Sequence, residues 1–531
     1  MKKIILLSLI CLTVIANSCK KTLDVTSSRV VSETNYWNTL EDARAGIMGV
    51  YGLTRAALAE NNGHWIYGDV RMGNFASPIR QDLKAVIANN LNASYPLLNN
   101  LSNWRRFYAV VNAANTFLER IPEVKAKDLR YTANNMTVDI AQVRFLRAFA
   151  YFYMARIWGD VPLILTSRDG SFENRPRTDQ NAVLTFVQSE MEAAALDLPY
   201  YYSNNDLQQP GLYYNQDRNR WSGALITKLG AYAMLGHVAA WQGKYVDVVR
   251  YTKKVLTEYN TKYDMSYTNT ATLCAPNGLF YTNTNSTNDN QLFALSFTWN
   301  NQDASFTGNI ESLTLAQPVV NKNVPDIYVP KDSILSIFKE TNDARFNIDT
   351  TGTVHSDALT GTTKGYFANF LGKYPIFAKI RVIQGGASDP ASSSFRIFSS
   401  AILLTRLEDV TLLRAEAYAV LGENTLATTD LNRIRQLRYN VDQQGLTNSS
   451  ASDYVAYNPN VHGSLIEAIF KERQKEFMGE GDHWYDKIRY EKIKQNNPQF
   501  MQLINSGGIF WPISRDILAQ NSLLTQNSYW K

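Results

Sequence analysis

The sequence predicts a mainly α-helical protein built from helical pairs, with long loop-rich insertions and a few short β-strands. Three observations lead to this prediction. Apolar residues recur at helical spacing in several segments, and two segments far apart in the chain share one helix–glycine turn–helix pattern. The stretches between these segments are long, lack a helical period and are rich in aromatic residues.

Three segments in the first third of the chain carry the helical period. They are residues 41–58, 104–120 and 140–157, with apolar side chains at spacings of three or four. Pro122 is expected to end the second helix, because proline lacks the N–H that a helix interior needs. Gly159, three positions before a proline, is expected to close the third.

The most specific helical pattern is that of a tetratricopeptide helix pair. One copy has a turn at Gly243 with Val248 five positions later, and the other has Gly422 with Ala427 at the same offset. A tetratricopeptide unit repeats about every 34 residues. Because the two copies lie much further apart, we predict helical-pair packing without a regular solenoid.

Long insertions are predicted at residues 198–221, 268–330 and 351–400. Loops of this length in a compact domain are usually functional or disordered, and their aromatic content argues against disorder. The chain contains 30 Tyr, 23 Phe and 10 Trp. Such side chains suit ligands that have both apolar faces and hydroxyl groups.

The N-terminus has the form of a bacterial lipoprotein export signal, residues 1–18. Lys2 and Lys3 precede an apolar stretch of roughly 12 residues, which is too short to span a bilayer. Small residues then lead to Cys19, the position that carries the lipid in such proteins. Leu is more usual than Ala16 three places before that cysteine, so ordinary secretion with a chance cysteine is the alternative.

The predicted division of the chain follows from this signal. Lipidation at Cys19 by two or more acyl chains, palmitate among them, anchors a protein stably. A short tether is expected over residues 19–28 and a single domain over 29–531, with halves at 29–260 and 261–531. No later stretch offers some 18 uninterrupted apolar residues.

The charge composition argues against a nucleic-acid-binding protein, and the cysteine count argues against an internal disulfide. Lys and Arg number 53 against 48 Asp and Glu, which is far from the clustered basic face of a nucleic-acid binder. Cys274 is the only thiol besides Cys19 once the signal has been removed, so no internal disulfide is expected.

The C-terminal part contains structural motifs. Ser464 and Glu467 form a capping-box pattern, and Arg473 falls on the apolar face of the helix that follows. Gly479 and Gly481 are expected to end that helix. A buried guanidinium needs a carboxylate partner, and the candidates are Glu408, Glu416 and Asp486.

Catalytic interpretations find little support. Glu472 and Glu476 lie one helical turn apart, as a glycoside hydrolase pair could, but cationic neighbours surround them and we expect a solvated face. There is no nucleophile elbow and no phosphate-binding glycine loop. We predict no catalysis and no metal. The histidines show no metal-ligand spacing: His64, His237, His355, His462 and His483.

Several segments resemble one protein family. Residues 404–438 read LTRLEDVTLLRAEAYAVLGENTLATTDLNRIRQLR, and residues 467–490 read EAIFKERQKEFMGEGDHWYDKIRY. The N-terminal half adds WRRFYAVVNAANTFLERIP and FLRAFAYFYMARIWGDVPLI. In this order they resemble the SusD/RagB family, the lipoproteins that Bacteroidetes carry on their outer membrane.

The resemblance implies both a fold and a function. The fold is a right-handed superhelical scaffold of four tetratricopeptide-like pairs that supports a loop-rich ligand face. The implied function is capture of oligosaccharides at the cell surface, as a hinged lid on a SusC-like TonB-dependent transporter, without catalysis or cofactor. Peptide uptake, as in RagB-type members, is the alternative, and a structural surface lipoprotein or adhesin is a third possibility.

The ligand face is expected in two segments. A sugar site needs exposed aromatic rings beside amides or charged groups, and residues 64–75 lie in a family region near the ligand face. The candidates there are Trp65, Tyr67, Asp69, Arg71, Asn74 and Phe75. The candidates in the second segment are Tyr281, Trp299 and Asn300. The alternative is that these aromatic rings hold their own loops in place.

Overall fold

The computed structural model of this 531-residue chain describes twelve stretches of residues. Every helix within these stretches is too short or too polar to cross a membrane. The export signal, Cys19 and the tether lie outside the described residues, as do Trp299, Asn300 and His355. The stretches are residues 36–167, 174–203, 205–218, 221, 224–261, 265–282, 290–297, 308–340, 343–346, 365–384, 397–439 and 455–531.

Helices dominate the described residues, which confirms the predicted class. In chain order they are α1 (Leu40–Ala59), α2 (Gln81–Ile87), α3 (Pro96–Leu101), α4 (Arg105–Lys127), α5 (Ala133–Trp158), α6 (Gln180–Asp197), α7 (Lys228–Trp241), α8 (Tyr245–Glu258), α9 (Thr270–Cys274), α10 (Glu311–Thr314), α11 (Lys331–Ile337), α12 (Leu407–Val420), α13 (Asn424–Arg438), α14 (Pro459–His462), α15 (Leu465–Glu476), α16 (His483–Lys494), α17 (Pro498–Asn505) and α18 (Arg515–Gln520).

Eight of these helices form a continuous row of four pairs. The pairs are α1 with α4, α5 with α6, α7 with α8, and α12 with α13, and each pair packs on the next. Helix α15 then packs on α12 and α13, and α16 packs on α15. The row is the scaffold from which the insertions extend.

The predicted turn glycines have the geometry that the pairs require. Gly243 and Gly422 have φ angles of 73° and 83°, in the left-handed region that favours glycine. Val248 and Ala427, five positions later, are fully buried. The tetratricopeptide-like pattern is therefore confirmed at both places.

Two helix boundaries differ from the prediction. Pro122 does not end α4, which continues to Lys127. Ile121 and Val124 on either side of the proline are fully buried, and this burial offsets the one helical hydrogen bond that proline removes. Helix α5 begins seven residues earlier than predicted, where Thr132 accepts a capping hydrogen bond from the N–H of Asn135.

The strands form three small antiparallel sheets of two strands each. They are β1 (Phe293–Leu295) with β6 (Ile402–Thr405), β2 (Phe367–Ala368) with β3 (Ile376–Phe377), and β4 (Ile383–Gln384) with β5 (Ile397–Phe398). In the first sheet Phe293 pairs with Thr405 and Leu295 with Ile402. This pairing ties the second insertion to the start of α12.

Candidate functional site

The segment that follows α1 is a compact junction between the two ends of the chain. It consists of a 3₁₀ turn (Glu60–Asn62), one α turn (Gly63–Trp65) and a π turn (Ile66–Val70). At Gly68 the backbone approaches the turn after α15 so closely that a Cβ atom would lie 1.7 Å from the carbonyl oxygen of Gly481. Only glycine fits this crossing.

Asp69 is held in this junction by backbone donors. Its carboxylate accepts hydrogen bonds from the N–H groups of Gly481 and Gly479, whose φ angles are 92° and 79°. Successive backbone N–H groups in such a turn form a concave site for an anion. Burial nevertheless dominates and raises the pKa of Asp69 to about 8.

Arg71 is fully buried beside Asp69, and its hydrogen bonds to described residues go to backbone carbonyls and an amide side chain. Its Nη1 donates to the carbonyl of Ile509 at 2.5 Å, and its Nη2 donates to that of Gly508 at 2.6 Å. Nε and Nη2 also donate to the side-chain oxygen of Asn89 at 2.9 and 2.7 Å. The guanidinium lies 4.5 Å from the ring centre of Trp484. Burial lowers the pKa of Arg71 to about 9.

The aromatic residues of the same segment also make internal contacts. Trp65 and Tyr67 are 2% and 5% exposed, and the Tyr67 hydroxyl donates to the carbonyl of Leu101 at 2.6 Å. Phe75 is buried with its ring centre 5.4 Å from that of Phe377.

We therefore correct the prediction for this segment. Rings and charges buried to this degree present no face to a sugar, so the interior contacts of Trp65, Tyr67, Asp69, Arg71 and Phe75 stabilise the junction. Asn74 is half-buried, and its side-chain oxygen accepts a hydrogen bond from Gln474 at 2.7 Å.

A different surface is assembled at the C-terminal end of α1. Arg55, in the last turns of the helix, donates from Nη1 to the carbonyl of Ser296 at 2.5 Å and lies 4.5 Å from the ring centre of Phe297. The hydroxyl of Ser296 in turn accepts a hydrogen bond from Thr282 at 3.0 Å. The chain after β1 and the chain near residue 282 are thereby held side by side over α1.

The same end of α1 carries an exposed charged pair. Glu60 accepts two hydrogen bonds from Arg106, at 2.6 Å from Nε and 2.8 Å from Nη2. The two side chains are 39% and 46% exposed. A planar guanidinium held by a carboxylate in this way is a rigid group that offers its remaining donors in fixed directions.

The chain returns to this place at residue 308. A Cβ atom on Gly308 would lie 3.0 Å from the carbonyl oxygen of Ala59, so the two backbones are in close contact. Asn62 donates from its side chain to the carbonyl of Asn309 at 2.9 Å and to the hydroxyl of Ser312 at 3.1 Å. Phe297 and Gly308 both therefore lie at the end of α1.

We call this surface the α1 rim. Tyr281 is half-buried at its edge and immediately precedes Thr282. Trp299 and Asn300 lie outside the described residues, so their place in the predicted site stays a prediction. The rim consists of Arg55, Glu60, Arg106, Tyr281, Thr282, Ser296 and Phe297.

A buried polar network supports the rim from below. Asn309 donates to the carbonyl of Ser400 at 2.8 Å, and the Ser400 hydroxyl donates to Glu311 at 2.7 Å. The N–H of Val382 also donates to Glu311, at 3.2 Å. Burial raises the pKa of the fully buried Glu311 to about 7. The network connects the rim to the β4–β5 sheet.

Sequence reasoning missed the charged members of the rim. The helical period places Arg55 on the same stripe as Tyr51, and the spacing does not indicate that its side chain reaches a loop 241 positions away. The available signal is local and concerns Glu60, which directly precedes the Asn61-Asn62-Gly63 turn, where two asparagines have φ angles of 56° and 57°.

Glu472 and Glu476 are not on a solvated face, contrary to the prediction. Glu476 is fully buried, and its two oxygens accept hydrogen bonds from three guanidiniums at distances between 2.8 and 3.1 Å; those donors are Arg345, Arg406 and Arg438. Although burial opposes ionisation, these guanidiniums hold the pKa of Glu476 well below its usual range. A general acid needs a raised pKa, so this pair is a structural ion cluster.

The partners of Arg473 agree in part with the prediction. The guanidinium is buried and donates to Asp486 at 2.8 Å, as predicted, and to Asp409 at 2.9 Å. The other two predicted carboxylates, Glu408 and Glu416, pair instead with Arg406 and Arg489 respectively.

The sequence predicts no metal site, and the structure gives the positions of the side chains that could bind a metal. Within the described stretches, His, Cys, Asp and Glu side chains form no group of three that could hold a metal ion. His237 bonds to Asp409 at 2.6 Å and His462 to Glu340 at 2.7 Å, both in ion clusters. Cys274 is buried, which raises the pKa of its thiol to about 11.

The chain is similar to known proteins in both sequence and fold. The sequence profile of the SusD family matches residues 212–530, and a profile described as "starch-binding associating with outer membrane" matches residues 62–210. A SusD superfamily protein of Bacteroides thetaiotaomicron, known from a crystal structure, is 43% identical, with a TM-score of 0.81 over 93% of this chain and 99% of its own.

Two further relatives extend the likeness. SusD-like protein P38 of Formosa agariphila is 25% identical over 538 aligned positions, which cover 97% of this chain and 96% of its own. A SusD homolog of Bacteroides thetaiotaomicron, 21% identical with a TM-score of 0.71, covers 93% of this chain and 100% of its own and supports the fold alone.

Proposed function

Since the chain belongs to the SusD family, we propose that it is a glycan-binding accessory protein of nutrient uptake that acts at the outer membrane. The profile matched by residues 62–210 supports both parts of this proposal, because its description names starch binding and the outer membrane. The proposed role is binding without catalysis.

The finer proposal is that oligosaccharides are captured at the α1 rim. A sugar offers apolar C–H faces and a ring of hydroxyl groups, so its site combines aromatic rings with fixed polar groups. The Tyr281 ring and the Arg106–Glu60 pair are of these kinds, and Trp299 and Asn300 are proposed to add a second ring and an amide. The convergence of Thr282, Ser296 and Gly308, three separate points of the insertion at residues 268–330, on the end of α1 is the observation that carries the proposal.

The captured ligand passes in this proposal to a SusC-like TonB-dependent transporter, on which the protein acts as a lid. The lipid on Cys19 holds the protein to the outer membrane, facing outward. Such an arrangement raises the local concentration of the lid at the barrel, because both are confined to one membrane.

Calorimetry tests ligand capture. The form that begins after Cys19 is titrated with plant, host and microbial oligosaccharides and with mixed peptides. We expect saturable binding to one glycan class, with Trp299→Ala and Tyr281→Ala each weakening it about tenfold or more, which is about 1.4 kcal/mol.

A matched control makes the location testable. Tyr529 is 42% exposed in the C-terminal segment and is not part of the α1 rim. Tyr529→Ala is expected to leave glycan affinity unchanged. Binding to peptides alone would assign the protein to peptide uptake. No binding to any member of the panel would contradict capture of a soluble ligand.

A further inference from the structure

A concave site lies on the scaffold itself. It is a pocket of 450 Å³ between the end of α12, the start of α13, the start of α15 and the end of α16. Pockets for small ligands usually measure about 300–1,000 Å³. None of the α1 rim residues contributes to it. The lining residues are Ala419, Asn424, Thr428, Tyr457, Ser464, Leu465, Ile466 and Lys494.

The lining combines an apolar surface with groups that bind hydroxyls. Leu465 and Ile466 supply aliphatic surface, while Asn424 and Thr428 lie one helical turn apart on α13 and share a face. The Tyr457 hydroxyl donates to the carbonyl of Gly463 at 3.0 Å, which fixes the ring at the pocket wall. A pyranose needs such a mixture of one apolar face and several hydrogen-bonding groups.

The pocket also contains one cationic side chain. Lys494 donates from Nζ to the hydroxyl of Ser464 at 3.3 Å, a long hydrogen bond that leaves further N–H groups on the ammonium. None of the described residues that line the pocket is Asp or Glu. The first carboxylate of α15, Glu467, pairs with Lys471 at 2.6 Å. A carboxylate in the pocket would gain a charge-assisted hydrogen bond from Lys494.

We propose that this pocket binds a sugar acid, a pyranose that carries a carboxylate. Lys494 binds the carboxylate, Asn424 and Thr428 bind ring hydroxyls, and Leu465 and Ile466 contact the apolar face of the ring. The proposal rests on the proposed function only in that the protein handles carbohydrate. It adds a second site with a preference for acidic sugars.

The test compares D-glucuronate with D-glucose, which differ in a carboxylate against a hydroxymethyl group. Binding to the form that begins after Cys19 is measured by saturation-transfer NMR titration, with acetate as a carboxylate that has no ring. We expect glucuronate to bind about tenfold more tightly than glucose, and acetate to bind more weakly than glucuronate. Equal affinities of glucose and glucuronate would overturn the proposal, as would acetate binding as tightly as glucuronate.

Two lysines on α16 supply the variant and its control. Lys494→Gln removes the charge and is expected to abolish the preference for glucuronate. Lys492 does not line the pocket, and its ammonium lies 4.9 Å from the ring centre of Trp241. Lys492→Gln is expected to leave the preference intact. A preference that survives Lys494→Gln, or that is lost equally in both variants, would contradict the assigned site.

Neutral oligosaccharides separate this proposal from capture at the α1 rim. Lys494→Gln is expected to leave their calorimetric binding unchanged, because the α1 rim does not contain the lysine. Glucuronate binding that depends on Lys494, in a protein that binds no neutral oligosaccharide, would uphold the pocket and contradict capture at the rim. Binding of neutral oligosaccharides, together with glucuronate binding that does not depend on Lys494, would uphold the rim and overturn the pocket.

Discussion

Asp69 and Gly481 lie 412 positions apart in the sequence and share a buried hydrogen bond, from the Gly481 N–H to the Asp69 carboxylate. Arg71 makes a second connection of this kind, to the carbonyls of Gly508 and Ile509. The imidazole of His64 makes a third, to the carbonyl of Glu480 at 2.9 Å. One short segment after α1 thus binds the C-terminal turns to the N-terminal helices. The first residue of this segment, Glu60, is also part of the α1 rim.

The stability of the protein is expected to depend on pH through Asp69. Its pKa is raised from the usual range near 4 to about 8, so between these values the folded state holds a proton that the unfolded state releases. The free energy of unfolding therefore falls as pH rises from about 4 to 8. Urea unfolding of the wild type and of Asp69→Asn across this range measures the effect, and the variant should show the smaller fall. Parallel pH profiles would contradict the prediction.

Gly68→Ala is expected to disrupt the junction. The added Cβ would lie 1.7 Å from the carbonyl oxygen of Gly481, which requires the backbone to move. We expect a loss of about 3 kcal/mol or more in the free energy of unfolding. Gly49→Ala in α1 is the matched control, because nothing lies within 4 Å of its Cβ position. That change should stabilise the helix by up to about 1 kcal/mol, and similar effects of both substitutions would refute the account of the junction.

The Glu476 ion cluster is expected to be far more important for stability than an exposed pair. Glu476→Gln leaves three buried guanidiniums without their shared carboxylate and should cost about 3–5 kcal/mol. Glu467→Gln breaks only the exposed pair with Lys471, and should cost less than about 1 kcal/mol. Chemical unfolding at neutral pH compares the two variants.

Acid should remove the contribution of the same cluster. The pKa of Glu476 lies well below its usual value of 4.5, so its stabilising effect is present above about pH 4.5 and is lost as pH falls further. Thermal unfolding of the wild type should therefore show a falling Tm in this acidic range. Glu476→Gln should show a smaller fall, and an equal fall would contradict the prediction.

Arg106→Ala is expected to separate binding from stability at the α1 rim. Because the Arg106–Glu60 pair is exposed, its loss should change the free energy of unfolding by less than about 1 kcal/mol. Glycan affinity should fall several-fold, because a fixed polar group of the proposed site is removed. Arg250→Ala is the control, since this exposed arginine pairs with Asp247 on α8 away from the rim. Equal affinities of the two variants would argue against the rim.

The proposed lipid anchor gives a cellular prediction. Cys19→Ala should abolish lipidation and move the protein from the outer-membrane fraction to a soluble fraction, as followed by fractionation and mass spectrometry. Cys274→Ala provides the control thiol substitution, because Cys274 is buried in the folded domain. An outer-membrane location that persists in Cys19→Ala would contradict the anchor.

Local patterns were sufficient to predict two of the four helical pairs, α7–α8 and α12–α13. Helical periods and the turn glycines Gly243 and Gly422 are properties of neighbouring residues, so the pairs could be predicted without knowing which pairs pack together. The prediction that α4 ends at Pro122 was wrong, because the burial that stabilises the helix beyond the proline comes from tertiary packing.

The site residues could not be predicted in the same way. Trp65 and Tyr67 look like loop aromatics in the sequence, and only contacts with distant helices place them in the interior. Glu472 and Glu476 likewise have the spacing of a solvated face, whereas the arginines that surround Glu476 come from three separate segments. Burial of charge depends on partners that are remote in the chain, and local spacing holds no information on them.

The most direct test of the central claim is a crystal structure of the protein with the oligosaccharide that binds best in calorimetry. The account predicts sugar density at the α1 rim, with ring hydroxyls within about 3.2 Å of polar atoms on Arg55, Arg106 or Tyr281. Density for the oligosaccharide at a surface that includes none of these residues would contradict the account.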